Sequence, residues 1–333
     1  MKDKSVCKFE INTLDYPYSN NRLSITSMKS IFARQKAAFI QAPCPTLKQR
    51  KQQLHQLKAT LLNNKQAISD AISQDFGYRN PDESQFLELM TCIGDINFAM
   101  DHLRAWMKPE KRDVAIQFQP ASNTIIHQPL GVIGIIVPWN YPLYLAIGPL
   151  IAALAAGNRA MLKMSEFTPA LNQLLREMLK PSFSEDQVAV IEGEADVAAE
   201  FSRLPFDHLM FTGSTSVGVH VMKAAAENLT PVTLELGGKS PVLVDDKMAV
   251  TTVAERIVFG KCVNAGQTCV APDYILCPKD KVNALADAIK AQFNKLYPDF
   301  ANNLDYTHVV NDRQYQRLLS WLDEASQSGA NII

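Results

Sequence analysis

The 333-residue sequence predicts an α/β protein built on a doubly wound parallel sheet. Short apolar runs at 132–137, 160–163, 188–191, 208–211 and 232–235 alternate with helix-length segments at 143–156, 168–180, 196–203 and 215–228, the rhythm of successive βαβ units. Eleven of the 14 glycines fall between Gly131 and Gly266, which concentrates tight backbone approaches in the same stretch. Residues 114–158 form a block of 45 without Asp, Glu, Lys or Arg, which reads as buried core. At roughly 150 residues per domain, the length suggests two domains.

In chain order, residues 1–27 read as a polar extension, with Met28 as an alternative start. From Thr46 the pattern turns helical, with Leu47, Leu54, Leu57, Leu61, Ile68 and Ile72 near one face. A second helical stretch starts at Ser84 and carries Phe86, Leu89, Ile93, Ile96 and Leu103. Phe76-Gly77 and Asn80-Pro81 separate the two. On these packing helices His55 and His102 read as solvated or core-edge residues. Near-alternating polarity over 113–128, split by Pro120-Ala121-Ser122-Asn123, predicts a two-stranded excursion with a turn. The sheet follows, and ligands of such sheets bind beyond the carboxyl ends of the strands.

Composition excludes several classes of function. Lys plus Arg (33) nearly balances Asp plus Glu (34), so no basic footprint for nucleic acid exists. The most apolar run, 143–156, is shorter than the roughly 18–20 residues of a membrane span, and prolines 129, 138, 142 and 149 punctuate its surroundings. No membrane partner is expected. The N-terminus lacks the apolar core of a signal peptide, which makes the cytoplasm the expected location. Six cysteines are too sparse for a disulfide framework, and no Cys-x-x-Cys or paired-histidine spacing suggests a metal.

Five short segments carry residues with chemistry to offer. Gly213 after Phe211-Thr212 permits a sharp strand-to-helix turn, and Ser214 and Thr215 can cap the helix; its N–H groups would favour a phosphate, or the segment is simply a capped helix. Lys163 and Glu166 end a strand and could hold a ribose, or form a surface salt bridge. Cys269 lies among small and polar neighbours (Asn264-Ala265-Gly266-Gln267-Thr268), giving a nucleophile access and nearby backbone donors; without context most lone cysteines are inert. Cys262 and Cys277, with apolar neighbours, read as inert. Glu235 precedes Gly237-Gly238 and could be a general base if an apolar wall raised its pKa, or a salt-bridge acid. Asn140, bracketed in Pro138-Trp139-Asn140-Tyr141-Pro142, could donate to an oxyanion or cap a turn.

Taken in chain order (Pro138-Trp139-Asn140, Lys163-x-Ser165-Glu166, Phe211-Thr212-Gly213-Ser214 with Gly218, Glu235-Leu236-Gly237-Gly238, Gly266-Gln267-x-Cys269), these segments resemble the aldehyde dehydrogenase superfamily from about Phe32 onward. Asn140-Tyr141-Pro142 and Cys269-Val270-Ala271-Pro272-Asp273-Tyr274 look like its class-3-like branch, nearest the coniferyl aldehyde dehydrogenases. The resemblance implies a Rossmann-like cofactor domain over residues 28–236, with 113–128 as an oligomerisation hairpin, and the N-terminal part of an α/β catalytic domain over 237–333. It implies NAD, with NADP as the alternative, and a small-molecule aldehyde as substrate. Cys269 would be the nucleophile, Asn140 and the Cys269 N–H the oxyanion donors, and Glu235 the deacylating base. Lys163 and Glu166 would hold the ribose, Gly213, Ser214, Thr215 and Gly218 the pyrophosphate, with Pro138 and Trp139 beside the cofactor. Met164 stands where many relatives have proline. No Glu-x-Phe-Gly pattern follows Cys269, so the family's C-terminal segment is expected to be missing; a homodimer would then need that segment supplied. Two other readings stay open: an impaired homologue that binds nucleotide or serves structurally, and a cysteine-dependent esterase.

Overall fold

The computed structural model describes residues 25–333. Most of the polar extension read at 1–27 lies outside the described residues. Its last three residues instead open the first helix, α1 (Ile25–Gln41), which buries Met28, Ile31, Phe32 and Gln35. α2 (Leu47–Asn63) starts at a reciprocal cap in which Thr46 and Gln49 each accept from the other's backbone N–H. Asn64 separates it from α3 (Lys65–Asp75), so the single helical pattern read from Thr46 is two helices sharing one apolar face.

The second helical stretch differs more. α4 (Pro81–Ser84) runs through one π turn, Gln85–Leu89, into α5 (Met90–Trp106). A π turn inserts an extra residue and rotates what precedes it. Leu89, Ile93, Ile96 and Leu103 therefore bury as expected, while Phe86 swings outward and is 71% exposed. His102 is exposed and stacks between Phe98 and Trp106.

β1 (Glu110–Arg112) and β2 (Asn123–Ile125) form an antiparallel pair. The first strand thus lies before the excursion predicted at 113–128. Ile116–Phe118 is a 3-10 turn with exposed side chains, because the alternation there has no partner strand to pair with.

The parallel sheet contains β3 (Val132–Ile136), β4 (Arg159–Lys163), β5 (Val188–Ile191), β6 (His208–Gly213) and β7 (Val232–Leu236), in the order β5-β4-β3-β6-β7. The connecting helices are α6 (Tyr144–Ala156), α7 (Pro169–Leu179), α8 (Ala195–Ser202) and α9 (Thr215–Ala226). Side chains alternate between the two faces: Ile133, Ile135, Leu162 and Val190 join the core under α2, α3, α5, α6 and α7, while Val132, Ile136, Met161 and Ile191 join the core under α1, α8 and α9. The charge-free block is β2, β3 and α6, of which β3 and α6 lie in the heart of the molecule.

After Leu236 the chain leaves this sheet. β8 (Ser240–Leu243) and β9 (Pro272–Leu276) pair in parallel, joined by α10 (Val250–Cys262), and α11 (Val282–Leu296) packs on α10 over a small third core. α12 (Asp312–Gln327) follows. Among the described residues no helix is long and apolar enough to cross a membrane.

Candidate active site

The order β5-β4-β3-β6-β7 reverses direction between β3 and β6, and the loops after these two strands part at their carboxyl ends. A cleft of about 1870 Å³ opens there. It is lined by Pro138, Trp139 and Asn140 after β3, Lys163 and Glu166 at the end of β4, Gly213 and Ser214 after β6, Glu235 on β7, and Cys269. Nine of the eleven predicted site residues therefore share one cavity.

The exceptions are Thr215 and Gly218. Thr215 is the exposed first residue of α9, and Gly218 is buried underneath the helix. A Cβ on Gly218 would lie 2.9 Å from Leu236 Cδ2, so glycine there lets α9 approach β7. Gly213 has a similar reason, since its Cβ would lie 2.5 Å from the Phe211 ring. Ser214 caps α9, its hydroxyl accepting from the Val217 N–H at 3.4 Å. A capped helix start opening on the cleft, with no side chain at Gly213, fits a phosphate group.

Lys163 is not the partner in a surface salt bridge. It is 2% exposed, and its ammonium donates to the carbonyls of Met164 at 2.7 Å and Gly193 at 2.8 Å. Burial pushes its pKa down, while the carboxylates of Glu166, Glu194, Asp196 and Glu192 pull it back. Glu166 is exposed at the rim. Met164 is fully buried in the main core.

Cys269 is exposed, in contrast to Cys262, which is buried and whose thiol pKa burial raises. The turn before Cys269 is unusual: Asn264, Ala265 and Gly266 have φ of 53°, 52° and 73°. Left-handed backbone costs a non-glycine residue about 1–2 kcal/mol, so surrounding bonds must hold it. Those bonds are present. The Asn264 N–H donates to Glu83 at 2.6 Å, and its side-chain amide donates to the carbonyls of Asn140 at 2.9 Å and Gln267 at 3.2 Å. Gln267 ties the turn to the later chain, donating to His308 O and accepting from the Val310 N–H, both at 3.0 Å.

The Asn140 amide donates to Gln267 O at 3.0 Å, and the hydroxyls of Tyr141 and Thr268 are 2.7 Å apart. The loop after β3 is thus fastened to the turn that presents the thiol. Glu235 stands apart from this network. It is exposed, so among the described residues no apolar wall encloses it.

Sequence reasoning missed two groups. Arg79 and Glu88 are completely buried and paired at 2.6 Å beneath the Asn140 loop. Burial pushes the Glu88 carboxyl up, opposed by Arg79 and by the N–H groups of Tyr144 and Leu143. Glu88 stands in an apolar helical stretch, but Arg79 lies in the polar linker between α3 and α4, so the sequence offers no signal for the pair. The second group is Arg313, Gln314 and Arg317 of α12, which line the cleft mouth. Arg313 sits 6.0 Å over the Phe167 ring, and nothing in the local pattern of α12 marks it.

The aldehyde dehydrogenase family model matches residues 21–333. A "Probable coniferyl aldehyde dehydrogenase" of Pseudomonas aeruginosa is 53% identical over 93% of the chain and 65% of its own length. The "Coniferyl aldehyde dehydrogenase" of Pseudomonas sp. strain HR199 is 41% identical over 91% of the chain and 63% of its own length. The chain thus spans just under two thirds of these curated relatives. The substrate-bound structure of Staphylococcus aureus AldH superposes with a TM-score of 0.86 at 37% identity, covering 90% of this chain and 66% of that one. The NAD+ complex of Mycobacterium tuberculosis aldehyde dehydrogenase gives 0.84 at 26% identity, covering 94% and 65%.

Proposed function

The chain belongs to the aldehyde dehydrogenase family, and from that membership we propose that it serves the NAD(P)-dependent oxidation of an aldehyde to its carboxylic acid. The observation that carries the reading is that Asn140, Lys163, Glu166, Ser214, Glu235 and Cys269 line one cleft at the switch point of the sheet.

Cys269, as thiolate, attacks the aldehyde carbon, and the carbonyl oxygen becomes the oxyanion of a thiohemiacetal. The Asn140 amide and the Cys269 N–H stabilise that charge; preorganised donors of this kind contribute about 3 kcal/mol each. NAD(P), when bound, supplies the hydride acceptor that carries the carbon to the thioester oxidation level. Glu235 takes a proton from the water that adds to the thioester carbonyl; the collapse expels the Cys269 thiolate and releases the acid. Lys163 and Glu166 hold the adenosine ribose, and the turn through Gly213 and Ser214 receives the phosphates. Glu166 repels a 2′-phosphate, which favours NAD over NADP.

The named relatives favour an aromatic aldehyde of the coniferyl aldehyde type as substrate. The β1–β2 pair is the candidate contact for a homodimer, and the cytoplasm the candidate location. A second reading, nucleotide binding without turnover, is favoured by the exposure of Glu235.

The deciding experiment follows NADH formation over a panel of aromatic and aliphatic aldehydes with the wild-type chain and Cys269→Ala. Turnover abolished by the substitution is expected. Full activity in Cys269→Ala overturns the mechanism, and NAD binding without any wild-type turnover selects the second reading.

A further inference from the structure

Beneath the cleft, Arg79, Glu83 and Glu88 on the segment around α4 and the π turn join two distant chain segments, reached 55 residues on at Leu143 and 181 residues on at Asn264. Arg79 and Glu88 are both fully buried, with Nη1 of the arginine 2.6 Å from Glu88 Oε1. The second oxygen of Glu88 accepts from the N–H groups of Leu143 at 2.8 Å and Tyr144 at 3.0 Å, where the Asn140 loop enters α6. The Arg79 guanidinium lies 5.0 Å from the Tyr141 ring centroid and 5.3 Å from that of Phe76. Glu83 accepts from the Asn264 N–H at 2.6 Å and from the Thr307 hydroxyl. One buried charge cluster therefore grips both walls of the Asn140–Gln267 contact.

Such a cluster is costly. Replacing a buried ion pair with apolar residues is often neutral or stabilising, so stability alone does not account for one here. Glu88 also occupies the π turn, a local irregularity that recurs at functional sites and that here aims its carboxylate at the Asn140 loop.

We infer that Arg79 and Glu88 are positioning residues for the oxyanion site: acting through the Leu143 and Tyr144 N–H groups and the Tyr141 ring, they hold the Asn140 amide at its working distance from Cys269. This rests on the reading of Asn140 and Cys269 given above. Neither residue touches substrate, and both act by fixing the loop.

The test compares two reactions of one thiol. Alkylation of Cys269 by iodoacetamide displaces iodide at a saturated carbon and develops no oxyanion. Acetylation by p-nitrophenyl acetate forms the sulfur–carbon bond through a tetrahedral oxyanion and expels p-nitrophenolate. Both products are assigned to Cys269 by mass spectrometry, because Cys44 is also exposed. In Arg79→Met and Glu88→Met, which remove the guanidinium and the acceptor for Leu143 and Tyr144, acetylation is expected to slow on the order of 100-fold, the cost of misplacing a catalytic group by about 1 Å. Alkylation is expected to stay at the wild-type rate. Adding Asn140→Ala to either variant is expected to cost nothing more, since one donor is lost only once. Arg79→Lys, which keeps the charge without the fork, is expected to recover part of the rate.

Acetylation at the wild-type rate, a parallel fall in both reactions, or full additivity with Asn140→Ala overturns the inference alone. A wild-type chain that is alkylated at Cys269 but acetylated no faster than its Asn140→Ala variant overturns the reading of the site, and this inference with it. Should a methionine variant fail to fold by circular dichroism, Arg79→Lys decides the matter: slower acetylation with unchanged alkylation supports the inference, and the wild-type rate for both overturns it.

Discussion

The side-chain amide of Asn140 donates to the carbonyl of Gln267 at 3.0 Å, two residues before Cys269. One N–H of the amide is thereby fixed and the other is left to serve the cleft that both residues line. Asn140→Ala is expected to lower kcat for aldehyde oxidation by about 10²–10³, the usual cost of one oxyanion donor. The melting temperature should fall only slightly, because Asn264 also donates to Gln267 O. A large loss of stability with kcat unchanged would make Asn140 a structural residue.

At the other end of the cleft, Lys163 and Glu166 separate in role. Glu166 is exposed at the rim beside the buried lysine, where a 2′-phosphate would meet its carboxylate. Glu166→Gln is expected to raise the ratio of kcat/KM for NADP to that for NAD by about tenfold, equivalent to about 1.4 kcal/mol of relieved repulsion. High salt should shrink the difference between variant and wild type, since the carboxylate is exposed. An unchanged ratio would remove Glu166 from cofactor selection.

Legibility in the sequence followed the range of the forces involved. The five strands of the main sheet were readable to within one or two residues because buried parallel strands are short apolar runs, such as Val188–Ile191. That Asn140 and Cys269 line one cleft was legible only from the five segments taken together, since each segment alone also has an ordinary structural reading. The placement of Phe86 was not, because the π turn at Gln85–Leu89 changes the helical phase without altering the apolar spacing. Helix α1 was not legible as a helix, and its first three residues fell in the polar extension, because its buried positions Met28, Ile31, Phe32 and Gln35 are interspersed with charged and polar residues. Arg79 and Glu88 acquire meaning only when Asn140 and Asn264 arrive from far along the chain, and no local pattern announces that meeting.

Asp75 gives stability a pH dependence of unusual sign. Its carboxylate accepts from the N–H groups of Ala170 and Leu171 at the start of α7, yet burial pushes its pKa up to about 7. The folded chain therefore holds a proton that the unfolded chain, near the ordinary aspartate value of about 3.9, has released. Between these two values the native state binds more protons, so this group's contribution to stability declines as pH rises from about 4 to about 7 and is level above. Asp75→Asn keeps an acceptor oxygen and removes the titration. Its melting temperature relative to wild type is expected to improve from pH 5 to pH 8; a constant difference would place the Asp75 pKa outside that window.

Asn264 separates backbone strain from side-chain bonding in the turn that presents Cys269. Its φ of 53° is left-handed, and its side chain, fully buried, donates to Asn140 O and Gln267 O. Asn264→Gly relieves the strain but loses both donations; Asn264→Ala loses the donations and keeps the strain. Each buried hydrogen bond contributes about 1 kcal/mol, and an acceptor left unpaired costs about 1–3 kcal/mol. Left-handed backbone costs alanine about 1–2 kcal/mol more than glycine. Both variants should therefore be less stable than wild type, with glycine the milder by about 1 kcal/mol. Denaturant unfolding measures the order. Asn264→Gly as stable as wild type would mean that the side-chain donations contribute nothing, and alanine equal to glycine would mean that the turn relaxes out of its left-handed conformation once the amide is gone.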